Sequence, residues 1–201
     1  MFTTILVHGG KNTGDIWNKV SPLLQLHHNK VFCPTLSDPY NHTLQDHIQD
    51  VCHLITNQAL DKVILVGHSY AGMVITGVSN TMPEKLSRLI YVDAAVPKSG
   101  QSLFDILNET GHDAQTYYDI EPLKPFTDRL TFDAEKIKKI PKAYILCTKS
   151  EFINVSQPTF DKINAAPQDE NWVTYKINSP HSVMTEHPQE LADVFVKIEE
   201  S

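Results

Sequence analysis

The run Val63-Ile64-Leu65-Val66-Gly67-His68-Ser69-Tyr70-Ala71-Gly72 sets a serine between a stretch of buried-strand type and an apolar helical stretch. A serine hydroxyl becomes a useful nucleophile when a base takes its proton and a tight turn lifts it clear of its own backbone. A strand-to-helix turn of that kind crowds the residues two places to either side, so both must be small. Gly67 and Ala71 meet that condition. The helix that follows leaves backbone N–H groups free at its start, and its dipole favours negative charge there. The N–H of Tyr70 is therefore a candidate donor to an oxyanion. A second donor is expected where the first strand ends, because His8-Gly9-Gly10 brings backbone in without side-chain bulk. Gly9-Gly10 also reads as an ordinary turn; as an oxyanion loop it offers the N–H of Gly10.

The base must be a histidine later in the chain, since the order in such a site is serine, acid, histidine. Ten histidines are present. His181 follows the strand expected at 172–177, in the turn Asn178-Ser179-Pro180-His181, so it belongs at a strand's carboxyl end, facing Ser69. His187 reads as a surface or capping residue. His27, His28, His42, His47 and His53 read as solvated or at helix edges. His68 is expected to point away from the nucleophile, in a supporting role, and His8 to orient the oxyanion loop. No HExxH or comparable ligand spacing occurs and the aspartates are scattered singly, so neither a metal nor a cofactor is expected.

These groups need a scaffold that brings several strand ends together. Short β-branched runs alternate with helical stretches. Strands are expected at 3–8, 30–33, 62–66, 89–92, 142–147 and 172–177. Helices are expected over 16–27 (with Pro22 interrupting its middle), from a Thr43 cap to about 59, over 70–80, and from Pro188 to about 198. That rhythm describes an α/β fold, a mostly parallel six-stranded sheet with helices on both faces. The chain reads as one domain over 1–201. Residues 97–141 are too long for a simple crossover and too apolar for a free linker. They read as a reduced lid, in which Phe104, Leu107, Tyr117, Tyr118, Leu123 and Phe126 either line a pocket beside Ser69 or form a satellite core.

The chain of 201 residues carries a formal net charge of −7 without a basic cluster, which argues against nucleic acid as a partner. No apolar run approaches the ~18 residues of a membrane span, and MFTTILVHGG lacks a signal peptide's basic start. Three cysteines, Cys33, Cys52 and Cys147, suggest no disulfide framework. A cytoplasmic protein with a small-molecule substrate is expected. Its oligomeric state, monomer or homodimer, is left open.

VILVGHSYAGMVITGV, the opening ILVHGG and the late CTKS…PHSVMTEHPQELADVF resemble the α/β-hydrolase superfamily. They are most similar to its hydroxynitrile lyase and plant methylesterase branch and to related small bacterial hydrolases. The resemblance implies Ser69 as nucleophile, His181 as base, Gly10 and Tyr70 as oxyanion donors, and a three-layer fold without the usual first two strands. It also implies an aspartate where this chain has Ser150. Glu151 is placed first as a substitute acid and Asp93, at the end of the preceding strand, second; a catalytically weak site is the third reading. The implied reaction is hydrolysis of small esters through an acyl-enzyme. A hydroxynitrile-lyase-like C–C cleavage and a non-catalytic ligand- or protein-binding fold remain as alternatives. Among the lysines in or beside the lid, Lys124, Lys136, Lys138, Lys139 and Lys142, none matches a lyase motif.

Overall fold

The computed structural model describes residues 3–27, 30–165 and 170–200, leaving aside the Tyr117 side chain. The reading of His28 as solvated lies outside the described residues. The chain begins with β1 (Thr3–Val7), a 3₁₀ turn at Gly14–Trp17, α1 (Ser21–Gln25), β2 (Lys30–Phe32) and α2 (Leu44–Asn57). It continues through β3 (Val63–His68), α3 (Ala71–Thr81) and β4 (Leu86–Val92). Four short helices follow: α4 (Leu103–Asn108), α5 (Ala114–Tyr118), α6 (Lys124–Thr127) and α7 (Ala134–Lys138). Then come β5 (Lys142–Cys147), α8 (Ile153–Asn164), β6 (Trp172–Ile177), α9 (Val183–Glu186) and α10 (Pro188–Glu199).

All six strands run parallel in the order β2-β1-β3-β4-β5-β6. The mostly parallel six-stranded sheet expected from the sequence is thus present. Successive residues point to opposite faces of a strand, and the core divides accordingly. Ile5, Val7, Val63, Leu65, Leu89, Tyr91, Tyr144 and Leu146 join α2, α3 and α8 on one face. Leu6, Ile64, Val66, Ile90, Val92, Ala143 and Ile145 meet Trp17, Leu24, Leu191, Phe195 and Ile198 on the other. Being buried on both faces explains why the central strands read as unbroken apolar runs.

Local signals set several boundaries. Thr43 caps α2 reciprocally with Asp46: its hydroxyl accepts from the Asp46 amide while the carboxylate accepts from the Thr43 N–H. The helix expected over 16–27 is instead a 3₁₀ turn followed by α1, with Pro22 in the first turn, where its missing N–H is harmless. The chain order reverses between β1 and β3, since β2 lies on one side of β1 and every later strand on the other. Such a switch point opens a crevice at the carboxyl ends of the two strands.

Backbone packing tightens that crevice. Ser69 accepts from the Gly72 amide at 3.2 Å and from the Ala95 amide at 3.1 Å, so the start of α3 lies directly on the segment after β4. A Cβ on Gly72 would fall 1.8 Å from the Ala95 carbonyl oxygen, and one on Gly67 would fall 2.7 Å from that of Ala71. Gly72→Ala is therefore expected to lower stability by roughly 2–3 kcal/mol, read from the urea unfolding midpoint. An unchanged midpoint would show that the α3–Ala95 approach has slack.

Candidate active site

Three elements end at one crevice. Ser69 follows β3 at φ 56°, the left-handed conformation that a non-glycine residue adopts only when its surroundings enforce it. Its amide donates to Val92 O at 3.2 Å, which ties the turn to β4. Gly9 approaches so closely that a Cβ there would sit 2.9 Å from Ser69 Cβ. Among the described residues the N–H groups of Gly10 and Tyr70 donate to no hydrogen bond. Both are left available to a ligand.

Buried histidines set the backbone around these donors. His8 Nε2 accepts from the Leu36 amide at 3.0 Å, so its proton is on Nδ1 and is donated to Gly9 O at 2.8 Å. With the Gly9 carbonyl held on that side, the N–H of the trans Gly9–Gly10 peptide faces the opposite way. The orienting role expected of His8 has this geometric basis. His47, read from sequence as solvated or at a helix edge, is buried. It donates from Nε2 to Ser37 O at 2.8 Å and accepts the Tyr70 hydroxyl at 2.9 Å. Tyr70 is thus anchored through its phenol, with Phe126 edge-on at 4.8 Å.

His181 lies in the loop between β6 and α9. Its Nδ1 is 2.6 Å from Asp93 Oδ2. A carboxylate only accepts, so the imidazole carries its proton on Nδ1 and leaves Nε2 with a lone pair. Asp93 is fully buried at the exit of β4, at φ 45°. Its Oδ2 also accepts from the Ser150 hydroxyl, and its Oδ1 accepts from the Cys147 amide at 3.3 Å. Of the two carboxylates considered as the acid, Asp93, placed second, is the one in contact with the ring. Glu151 is exposed and accepts from the backbone N–H of His181 at 3.3 Å, while the ring nitrogen belongs to Asp93. Ser150 stands 3.3 Å from His181 Nδ1 as a hydroxyl bridge to Asp93.

A cavity of about 240 Å³ opens over these groups, lined by Gly10, Ser69, Tyr70 and His181. Its apolar wall is Leu103, Tyr118, Ile120, Phe126 and Phe152, and Lys11 and Glu151 supply charge. Of the six aromatic and aliphatic residues expected to line it, Tyr118 and Phe126 do. Phe104, Leu107 and Leu123 do not; they pack in the core on the α2–α3 side of the sheet. Tyr117's side chain lies outside the described residues. Leu103, Ile120 and Phe152 were missed. The first of these had a signal: Ser102 caps α4 reciprocally with Asp105, which sets the helix so that Leu103 enters the cavity. No group of three or more His, Cys, Asp or Glu suited to a metal occurs among the described residues. No helix among them is long and apolar enough to cross a membrane.

A model of the alpha/beta hydrolase family matches residues 4–113, more than half of the chain. The chain belongs to that family. It is 40% identical over 115 residues to a carbendazim hydrolyzing esterase of Nocardioides sp., covering 53% of this chain and 48% of that protein. To polyneuridine aldehyde esterase of Rauvolfia serpentina it is 34% identical over 117 residues, covering 52% of this chain and 44% of that one. The chain spans about half the length of the curated relatives it matches. Among solved structures, an extracellular alpha/beta-hydrolase from a Paenibacillus species superposes with a TM-score of 0.78 at 22% identity, over 98% of this chain and 99% of that one. A pyrethroid hydrolase from Sphingobium faniae gives 0.78 at 18% identity, over 100% and 98%. At such identity these superpositions speak for the fold.

The buried histidines carry a prediction. Burial lowers the pKa of His8, His47 and His68 below the ordinary 6.5. An unfolded chain takes up protons at these rings near pH 6.5, whereas the folded chain resists until lower pH. Their contribution to stability is therefore complete above about pH 6.5 and is lost as the pH falls. The free energy of urea unfolding should drop by about 1–3 kcal/mol between pH 6.5 and 5.5. A flat profile over that interval would contradict the assignment of three neutral rings.

Proposed function

We propose that the protein is a serine carboxylesterase acting on small esters, with Ser69 as nucleophile, His181 as general base and Asp93 as the supporting acid. The observation that carries this reading is the 2.6 Å contact between Asp93 and His181 Nδ1, at a cavity that also holds Ser69. In the proposed reaction, Ser69 Oγ attacks the ester carbonyl carbon and its proton passes to His181 Nε2. The N–H groups of Gly10 and Tyr70 take the negative charge on the tetrahedral oxygen. His181 then gives the proton to the departing alcohol, and a water activated by the same ring hydrolyses the acyl-enzyme. Asp93 holds the imidazole in the required tautomer and offsets its positive charge. The names of the relatives, a carbendazim hydrolyzing esterase and a polyneuridine aldehyde esterase, support the reaction class.

Residues 97–141 serve in this reading as the reduced lid, with Tyr118 and Phe126 over the acyl group. The apolar wall and the modest volume suit a small acyl portion. None of the lysines considered for a lyase lines the cavity. The non-catalytic alternative drew its support from Ser150 in the acid's place, and the Asp93 contact with the ring weighs against it. All three cysteines are free thiols, in keeping with a reducing, cytoplasmic setting.

Hydrolysis of p-nitrophenyl esters tests the reading. Ser69→Ala should abolish it, and Asp93→Asn should lower turnover by roughly 10³–10⁴. Glu151→Gln should stay close to the parent. A Glu151→Gln loss as deep as that of Asp93→Asn would return the acid's role to Glu151. Along the acyl-length series, Tyr118→Ala should shift the preference toward longer chains. Leu107→Ala should leave the preference in place while lowering stability by roughly 2–5 kcal/mol. The opposite pattern would mean that the cavity wall is misassigned.

A further inference from the structure

His68 ends β3 one residue before Ser69, and no step of the reaction above uses it. It is buried, and its Nε2 lies 3.0 Å from the backbone carbonyl oxygen of His181. A carbonyl only accepts, so the proton is on Nε2 and Nδ1 presents a lone pair. That lone pair has no hydrogen-bond partner among the described residues. Burying an unmatched acceptor costs stability that a hydrocarbon ring of the same shape would keep. What such a ring would give up is the bond to His181.

The loop explains why that bond matters. Residues 178–182 form no regular secondary structure, and neither the amide nor the carbonyl of His181 joins a backbone–backbone hydrogen bond among the described residues. Two side chains hold its backbone instead. Glu151 accepts from the amide at 3.3 Å at an exposed position, where water competes. His68 donates to the carbonyl from inside the fold. Its ring also packs, tilted, against that of His181, with centroids 4.4 Å apart and planes at 42°, and Phe152 packs on the same imidazole at 5.1 Å. His68 in turn requires Gly9, since a Cβ there would lie 3.0 Å from its Nδ1.

We propose that His68 is the positioning residue for the base: by gripping the backbone carbonyl of His181, it aims that ring at both Asp93 and Ser69. The proposal rests on the reading of His181 as the catalytic base. Burial, reinforced by the neighbouring rings of His181 and His8, keeps His68 neutral. It therefore adds no second positive charge when His181 takes a proton.

Two substitutions separate the grip from simple packing. His68→Phe keeps a flat ring and removes the donor. His68→Gln puts an amide N–H near the position of Nε2–H and removes the ring. The first readout is the far-downfield NMR signal of the proton between His181 Nδ1 and Asp93. The second is the separation of kcat from KM on p-nitrophenyl acetate. His68→Phe should broaden or abolish the signal and lower kcat about tenfold or more with little change in KM. His68→Gln should keep the signal and most of kcat. A sharp signal with parental kcat in His68→Phe overturns the proposal. So does an equal kcat loss in both variants that simply follows their loss of thermal stability. The NMR readout does not depend on ester turnover. A protein that hydrolyses no ester, yet loses the signal only in His68→Phe, would discard the esterase reading and keep the grip.

Discussion

A carboxylate sealed from water is tolerable only where donors converge on it, and the crevice is organised by how Asp93 meets that demand. Its donors come from three separate places: the Cys147 amide at the end of β5, the Ser150 hydroxyl in the turn beyond it, and the His181 imidazole after β6. The Cys147–Ser150 turn and His181 are far from Asp93, and from each other, along the chain. Their convergence fixes the relative position of three neighbouring strand ends. It also fixes the imidazole tautomer, because Nδ1 must donate. The lone pair left on Nε2 is the feature that turns a structural hydrogen bond into a site with chemical potential.

The second constraint is conformational. Ser69 and Asp93 leave adjacent strands in left-handed geometry, at φ 56° and 45°. The two exits are stitched together, since the Ser69 amide reaches Val92 O and the Ala95 amide reaches Ser69 O. Strain at one turn is thus supported by hydrogen bonds from the other. The parallel sheet makes this possible by bringing all strand ends to one edge. The reversal of strand order between β1 and β3 opens space there, so that Gly9 and Gly10 can approach. The insertion between β4 and β5 then walls the opening with Leu103, Tyr118, Ile120 and Phe126.

The legible part of this molecule is the part governed by local pattern. The apolar run of β5, the β-branched and aromatic run of β6, the Thr43 cap and the small residues around Ser69 are short-range signals, and the elements they imply are present. The helix α8 gave no such signal, because Pro158 falls in its interior and interrupts the helical reading. The partner of His181 was illegible for a different reason. Glu151 is adjacent in sequence to the turn where an acid was expected, but distance along the chain says nothing about which strand exit points inward. Asp93 reaches the imidazole because its own left-handed turn directs it there. His47 was misread because the bonds that make its burial tolerable come from Ser37 and Tyr70, both remote along the chain. The same holds for the cavity wall: apolar residues in the insertion were visible, but their division between wall and core depends on packing.

In the proposed reaction the Ser69 hydroxyl, the Gly10 and Tyr70 amides and the His181–Asp93 pair act as one unit. The most direct measurement is a crystal structure of the protein after reaction with an organophosphonate, a stable mimic of the tetrahedral intermediate. The proposed reaction requires a covalent bond to Ser69 Oγ, a phosphoryl oxygen about 3 Å from both the Gly10 and Tyr70 nitrogens, and His181 still bonded to Asp93. An unmodified Ser69, or an adduct whose oxygen points away from those two amides, would contradict it.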